Sequence, residues 1–135
     1  KNSGAIKANQ NYINEKLSKV INQSYLTLTS SDAHYGDYSL LFDKYLEISA
    51  SFSCPLGNIP EHYQDVFKNN MVEITMNMTD KEIINIIDKA LSDKKKLLEM
   101  TDRIHNIVRS KFNLDEMTKD YDKIFENIFN KVKTN

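Results

Sequence analysis

The chain has few of the residues that mark a specialised class of protein. Its one cysteine, Cys54, excludes an internal disulfide and is typical of a reducing compartment, so we expect a cytoplasmic location. No apolar run approaches the length of a membrane span, and Lys1-Asn2-Ser3 opens no signal-peptide pattern. The 18 basic and 19 acidic residues are interleaved along the chain, which argues against nucleic acid as a partner.

The first half of the sequence alternates between predicted helices and strands. Short runs of β-branched, aromatic or apolar residues predict three strands, at Ser24 to Ser30, Ser53 to Leu56 and Met71 to Thr75. Apolar residues at helical spacing predict helices over Asn11 to Asn22, over Ser39 to about Ser51, which should be largely buried, and over about ten residues starting at Pro60. Gly57-Asn58 is expected to end the second strand.

From Thr79 onward the chain is expected to be helical to its end. Thr79 and Glu82 have the spacing of a capping box, and Asn113 is the predicted cap of the last helix. Successive βα units demand parallel strands, so 1–135 is predicted to be one Rossmann-like α/β domain with flanking helices and a helical C-terminal tail, 79–135. A doubly wound sheet usually has five or six strands, so we expect the later part of a larger protein, or a sheet completed by a neighbour.

One stretch carries the candidate chemistry, SLLFDKYLEISASFSCPLGNIPE from Ser39 to Glu61. Lys44 and Glu47 lie three apart on a predicted helix, which brings an amine and a carboxylate to one face. The same spacing is common in exposed ion pairs, and that interpretation stays open beside the functional one. The preceding segment, Ser31 to Tyr38, is rich in loop-forming residues and contains His34, which is either a solvated side chain or a base.

The same stretch resembles the nucleotide-binding region in the C-terminal half of GT-B glycosyltransferases of the group-one or family-four-like type. Their pattern is similar to K/R-x-x-E-x-x-A-S-G, a strand, then G-x-x-P-E. This chain has Lys44, Glu47, Ile-Ser-Ala-Ser, a short strand, Gly57 and Pro60-Glu61. The succession of elements agrees from about Ser24 to Asn130, which implies an incomplete GT-B C-terminal domain.

The resemblance implies a role for each matched residue. Glu47 would accept hydrogen bonds from the ribose hydroxyls of a sugar nucleotide, and Lys44 would meet the pyrophosphate or a neighbouring acid. The loop from Tyr35 through Gly36 to Ser39 would face phosphate oxygens. Two departures stand out, because many relatives have a glutamate where this chain has Ser39 and prefer a glycine where it has Phe52.

The expected function is therefore transfer of a sugar from a nucleotide-sugar donor to a hydroxyl acceptor, with this chain as the donor-binding part. The donor is a substrate, and the resemblance implies neither a further cofactor nor a metal. Implied partners are a glycan, lipid or protein acceptor, the N-terminal domain of the same enzyme and a peripheral membrane contact. The alternative is a non-catalytic nucleotide-sugar-binding or protein-interaction module. The last helix has an apolar stripe that suits internal packing or an inter-domain contact.

Overall fold

The computed structural model of the protein describes residues 15–30 and 43–133. The helix α1 covers 15–22, and the other elements follow in chain order. They are β1 (Leu26–Leu28), α2 (Asp43–Ala50), β2 (Cys54–Gly57), a 3-10 turn (Glu61–Tyr63), α3 (Gln64–Phe67), β3 (Val72–Glu73), α4 (Asp80–Ser92), α5 (Lys94–Lys111) and α6 (Leu114–Lys133).

The strands form one parallel sheet in the order β1-β2-β3. Leu26 is in register with Cys54, and Leu56 is in register with Val72. The prediction of an α/β fold with a parallel sheet and flanking helices is thereby confirmed. The strands are shorter than predicted, most of all β3, which has two residues.

The middle strand tolerates a proline because of where its neighbours start. The Cys54 amide donates to the Tyr25 carbonyl, so the next residue, Pro55, directs its nitrogen toward the opposite neighbour, β3. That neighbour pairs only from Leu56 onward, so the missing N–H of Pro55 leaves no gap in the ladder.

Gly57 belongs to β2, so the prediction that it ends the strand is wrong. A Cβ atom at this position would stand 2.0 Å from the carbonyl oxygen of Thr29. Two neighbouring backbones therefore approach each other here as only glycine allows. The strand ends at the next residue, where the chain turns toward Pro60.

Two clusters of buried side chains hold the helices on the sheet. One joins α2, α3 and α5 through Tyr45, Val66, Phe67, Met71, Ile104 and Val108. The other joins the sheet to α4 and α5 around Cys54, Leu56, Val72 and Leu97. Because α5 contributes to both clusters, the first part of the predicted C-terminal tail is a central element of the core.

Side-chain caps set the boundaries of the C-terminal helices. The predicted capping box is present, with the Glu82 amide donating to Thr79 Oγ1 at 3.4 Å and the Thr79 amide donating to Glu82 Oε2 at 2.7 Å. Asn113 Oδ1 accepts from the Glu116 amide at 3.0 Å, as predicted for the start of α6. These local signals were readable because each cap is made within one turn of chain.

Two helix predictions need correction. The helix expected from Pro60 is only the 3-10 turn and the single turn α3, because the chain bends at Asn69, whose φ is 65°. Arg103 Nη2 holds this bend by donating to the Asn69 carbonyl at 3.3 Å. The helix expected to be largely buried, α2, buries one face through Tyr45 and Ile48.

The last helix, α6, leaves its apolar stripe exposed. The side chains that stand 41% to 79% exposed are Leu114, Met117, Tyr121, Ile124, Phe125, Ile128 and Phe129. Among the described residues, no helix has the length and apolar content to cross a membrane.

Candidate functional site

The residues singled out from sequence meet on the outer face of α2. Lys44 Nζ lies 2.5 Å from Glu47 Oε2, and the two side chains are 57% and 45% exposed. The predicted juxtaposition of an amine and a carboxylate is present. At that exposure the ion pair adds little to stability, about 0 to 1 kcal/mol, so both charges remain accessible to a ligand.

The buried face of α2 fixes where the pair stands. The Tyr45 hydroxyl donates to the Asn58 carbonyl at 2.7 Å, which ties the start of α2 to the loop after β2. The Tyr45 ring also meets the Phe67 ring edge-on, with centroids 5.3 Å apart. Because parallel strands expose their carboxyl ends at one edge, this bond places the first turn of α2 beside the edge where α/β proteins bind ligands.

A groove of about 240 Å³ runs beside Glu47, between α1 and α2. Leu17 and Ile21 of α1 supply its apolar wall, while Ala50 and Ser51 line the α2 side. The groove therefore offers an apolar surface with one carboxylate at its side, and Lys44 stands next to that carboxylate. Such a combination suits a ligand that has hydroxyl groups beside a less polar ring.

Hydrogen bonds join α1 to the end of α2 and hold this groove open at a fixed width. Asn22 Nδ2 donates to the Ser51 carbonyl at 3.0 Å. The hydroxyl oxygens of Ser18 and Ser51 are 3.1 Å apart. Sequence reasoning missed these contacts, because serine and asparagine near a helix end carry no signal for a partner about 30 residues away.

The C-terminal end of α2 is closed by a Schellman motif. The Ser53 amide donates to the Ile48 carbonyl at 3.2 Å, and the Phe52 amide donates to the Ser49 carbonyl at 3.4 Å. In this motif the residue that follows the cap adopts a left-handed conformation. That residue is Phe52, with φ 57°.

A buried histidine supports the Phe52 ring from below. The rings of Phe52 and His105 are stacked, with centroids 3.6 Å apart and an interplanar angle of 21°. His105 Nδ1 lies 3.1 Å from the Ser49 carbonyl, so Nδ1 carries the proton and donates to it. Nε2 is buried without a hydrogen-bond partner in the part of the chain that the structure describes.

The remaining predicted site residues, Tyr35, Gly36 and Ser39, lie outside the described residues, as does His34. The structure thus brings together Lys44 and Glu47 and adds the neighbouring groove. It also identifies Phe52 and His105, for which the one signal in the sequence is the departure from glycine at position 52.

Cysteine and metal chemistry find little support in the described segments. Burial raises the pKa of the Cys54 thiol to about 11, so the sulfur is protonated and is a poor nucleophile. Within residues 15–30 and 43–133, no three His, Cys, Asp or Glu side chains are grouped closely enough to hold a metal ion.

Comparisons with known proteins leave the assignment to the site itself. No protein family model, no curated protein and no solved structure matches this chain.

Proposed function

We propose that this chain is the donor-binding part of a GT-B glycosyltransferase, which transfers a sugar from a nucleotide-sugar to a hydroxyl acceptor. Its Rossmann-like sheet would be completed by strands that precede these residues. The proposal rests on the resemblance carried by Lys44, Glu47, Gly57 and Pro60-Glu61. The parallel order β1-β2-β3, with a helix after each strand, is compatible with that domain.

The observation that carries the proposal is the backbone at Phe52. The resemblance aligns this position with a glycine that relatives prefer, although nothing in the local sequence demands one. Phe52 has a φ of 57°, in the left-handed region that glycine occupies most easily. The conformation therefore supports the alignment of α2, and with it the matched positions of Lys44 and Glu47.

In this function Glu47 accepts hydrogen bonds from two ribose hydroxyls, for which a carboxylate has enough acceptor sites. Lys44 neutralises the carboxylate in the free protein and turns toward the pyrophosphate when donor binds. The segment containing Tyr35, Gly36 and Ser39 supplies backbone N–H groups to the phosphates. The sugar is transferred in the cleft between two domains, so the chain alone is expected to bind donor without turnover.

The decisive experiment is calorimetric titration of the chain with UDP, GDP and their sugars, before and after Glu47→Gln. The substitution removes a charge-assisted bond, so we expect binding to weaken by about 1 to 3 kcal/mol. Glu116→Gln is the matched control, because Glu116 and Lys119 form an i,i+3 pair with Oε1 and Nζ 2.6 Å apart at similar exposure on α6.

Two results would count against the proposal. Equal affinity of the wild-type chain and Glu47→Gln would remove the ribose role of Glu47. A chain that binds none of these nucleotides or nucleotide-sugars at millimolar concentration would not be a donor-binding domain at all.

The second candidate is a protein-interaction module, and α6 favours it. A helix of 20 residues with a half-exposed apolar stripe needs a covering surface. In the GT-B interpretation this surface is the N-terminal domain of the same enzyme. Loss of nucleotide binding together with intact folding would leave the interaction module as the better description.

A further inference from the structure

A second groove lies on the other side of the core, between β3, α4 and α5. Its volume is about 310 Å³, which is at the lower end of the range for small-molecule sites. The floor consists of Met71, Val72 and Leu97, all of them buried, and Ile86, Ala90 and Met100 complete the apolar lining. At roughly 30 Å³ for each water-sized group, the groove accommodates about ten non-hydrogen atoms.

The mouth of this groove carries an excess of positive charge. Lys89 and Lys96 line it from α4 and α5, and neither forms an ion pair among the residues that the structure describes. The one acid at the mouth, Asp93, is already engaged, because its Oδ1 accepts the Lys96 amide at 3.1 Å. Two exposed ammonium groups thus stand over an apolar floor.

We propose that this groove binds a small anionic amphiphile, with its hydrocarbon part on the apolar floor and its anionic group between Lys89 and Lys96. A nucleotide fits less well, because none of the described residues that line the groove is aromatic or offers an amide or hydroxyl side chain to a base. A neutral hydrocarbon would leave both ammonium groups without a counter-charge. The inference is independent of the donor site beside Glu47.

Octyl phosphate is a suitable probe, since its chain matches the groove and its head carries the charge. Titration of the isotope-labelled chain, followed by amide chemical shifts, should move the signals of residues that line the groove. Octan-1-ol and inorganic phosphate, which each have half of the recognised chemistry, should bind at least tenfold more weakly.

Two variants separate the contributions of charge and floor. Lys89→Gln with Lys96→Gln should weaken octyl phosphate binding at least fivefold, whereas Lys81→Gln with Lys95→Gln removes two exposed lysines that do not line the groove and should change it less than twofold. Ala90→Phe should fill the groove and abolish the shifts. The amide spectrum reports whether each variant folds, and the lysine variants carry the test if Ala90→Phe does not.

Three results would overturn the proposal. The first is shifts along the exposed stripe of α6 in place of the groove, since that is adsorption to any apolar surface. The second is equal affinity for octan-1-ol and octyl phosphate. The third is an equal loss of affinity in the two lysine pairs.

Discussion

Phe52 is predicted to reverse the usual order of alanine and glycine. In an exposed helix interior, Ala is more stable than Gly by about 0.5 to 1 kcal/mol. Phe52 has a φ of 57°, where any side chain with a Cβ atom meets the backbone. We therefore expect Phe52→Gly to be more stable than Phe52→Ala by about 1 kcal/mol.

The magnitudes against wild type follow from two opposed terms. The Phe52 ring is 49% exposed, so its loss removes about half the burial of a phenylalanine, ~1 kcal/mol. Loss of the stack on His105, at 3.6 Å between centroids, removes about 0.5 to 1.5 kcal/mol more. Phe52→Ala keeps the backbone strain and should cost about 2 kcal/mol, whereas Phe52→Gly also releases ~1 kcal/mol of strain and should cost about 1 kcal/mol.

Urea unfolding of the two variants and wild type measures these differences directly. Ala50→Gly is the control, because Ala50 is exposed in the last turn of α2 and the same change should there cost about 0.5 to 1 kcal/mol. The reasoning is refuted if Phe52→Ala equals or exceeds Phe52→Gly in stability. It is also refuted if Ala50→Gly is stabilising.

Three further predictions concern the core and a helix cap. Gly57→Ala should destabilise the chain by about 3 kcal/mol in urea unfolding, because its Cβ would meet the Thr29 carbonyl at 2.0 Å; a cost below ~1 kcal/mol would contradict this. Burial raises the pKa of Cys54 to about 11, so a thiol reagent at pH 8 should react on the order of 100-fold more slowly with the folded chain than with the unfolded chain, and equal rates would exclude a buried thiol. Hydrogen bonds from the Thr79 amide and hydroxyl lower the pKa of Glu82, so their stabilisation is complete above the unfolded pKa and is lost as pH falls through the folded value. Thermal unfolding from about pH 5 to pH 2 should show this decline, and Thr79→Ala should reduce its slope.

The sequence was most informative where an element is defined within one turn of chain. The capping box at Thr79 and the cap at Asn113 were predicted at the right residue, because their donors and acceptors lie within three residues. The helix from Pro60 was predicted too long, because its end is set by the bend at Asn69. Arg103, more than 30 residues later, holds that bend.

The candidate site divides in the same way. The i,i+3 spacing of Lys44 and Glu47 placed them together, since helical geometry alone brings such residues to one face. The groove beside Glu47 was not predictable, because α1 forms its other wall and reaches α2 through Asn22 and Ser51. Contacts across 29 residues leave no periodic pattern in a single sequence.

By itself, the sequence determined the alternation of helices and strands, the parallel sheet that this alternation requires and the pairing of Lys44 with Glu47. Only the tertiary structure decided that Gly57 lies inside a strand and that Phe52 adopts a left-handed conformation on His105. The reason is physical. Periodicity and capping act between near neighbours, whereas backbone approach and ring stacking depend on segments that only folding brings together.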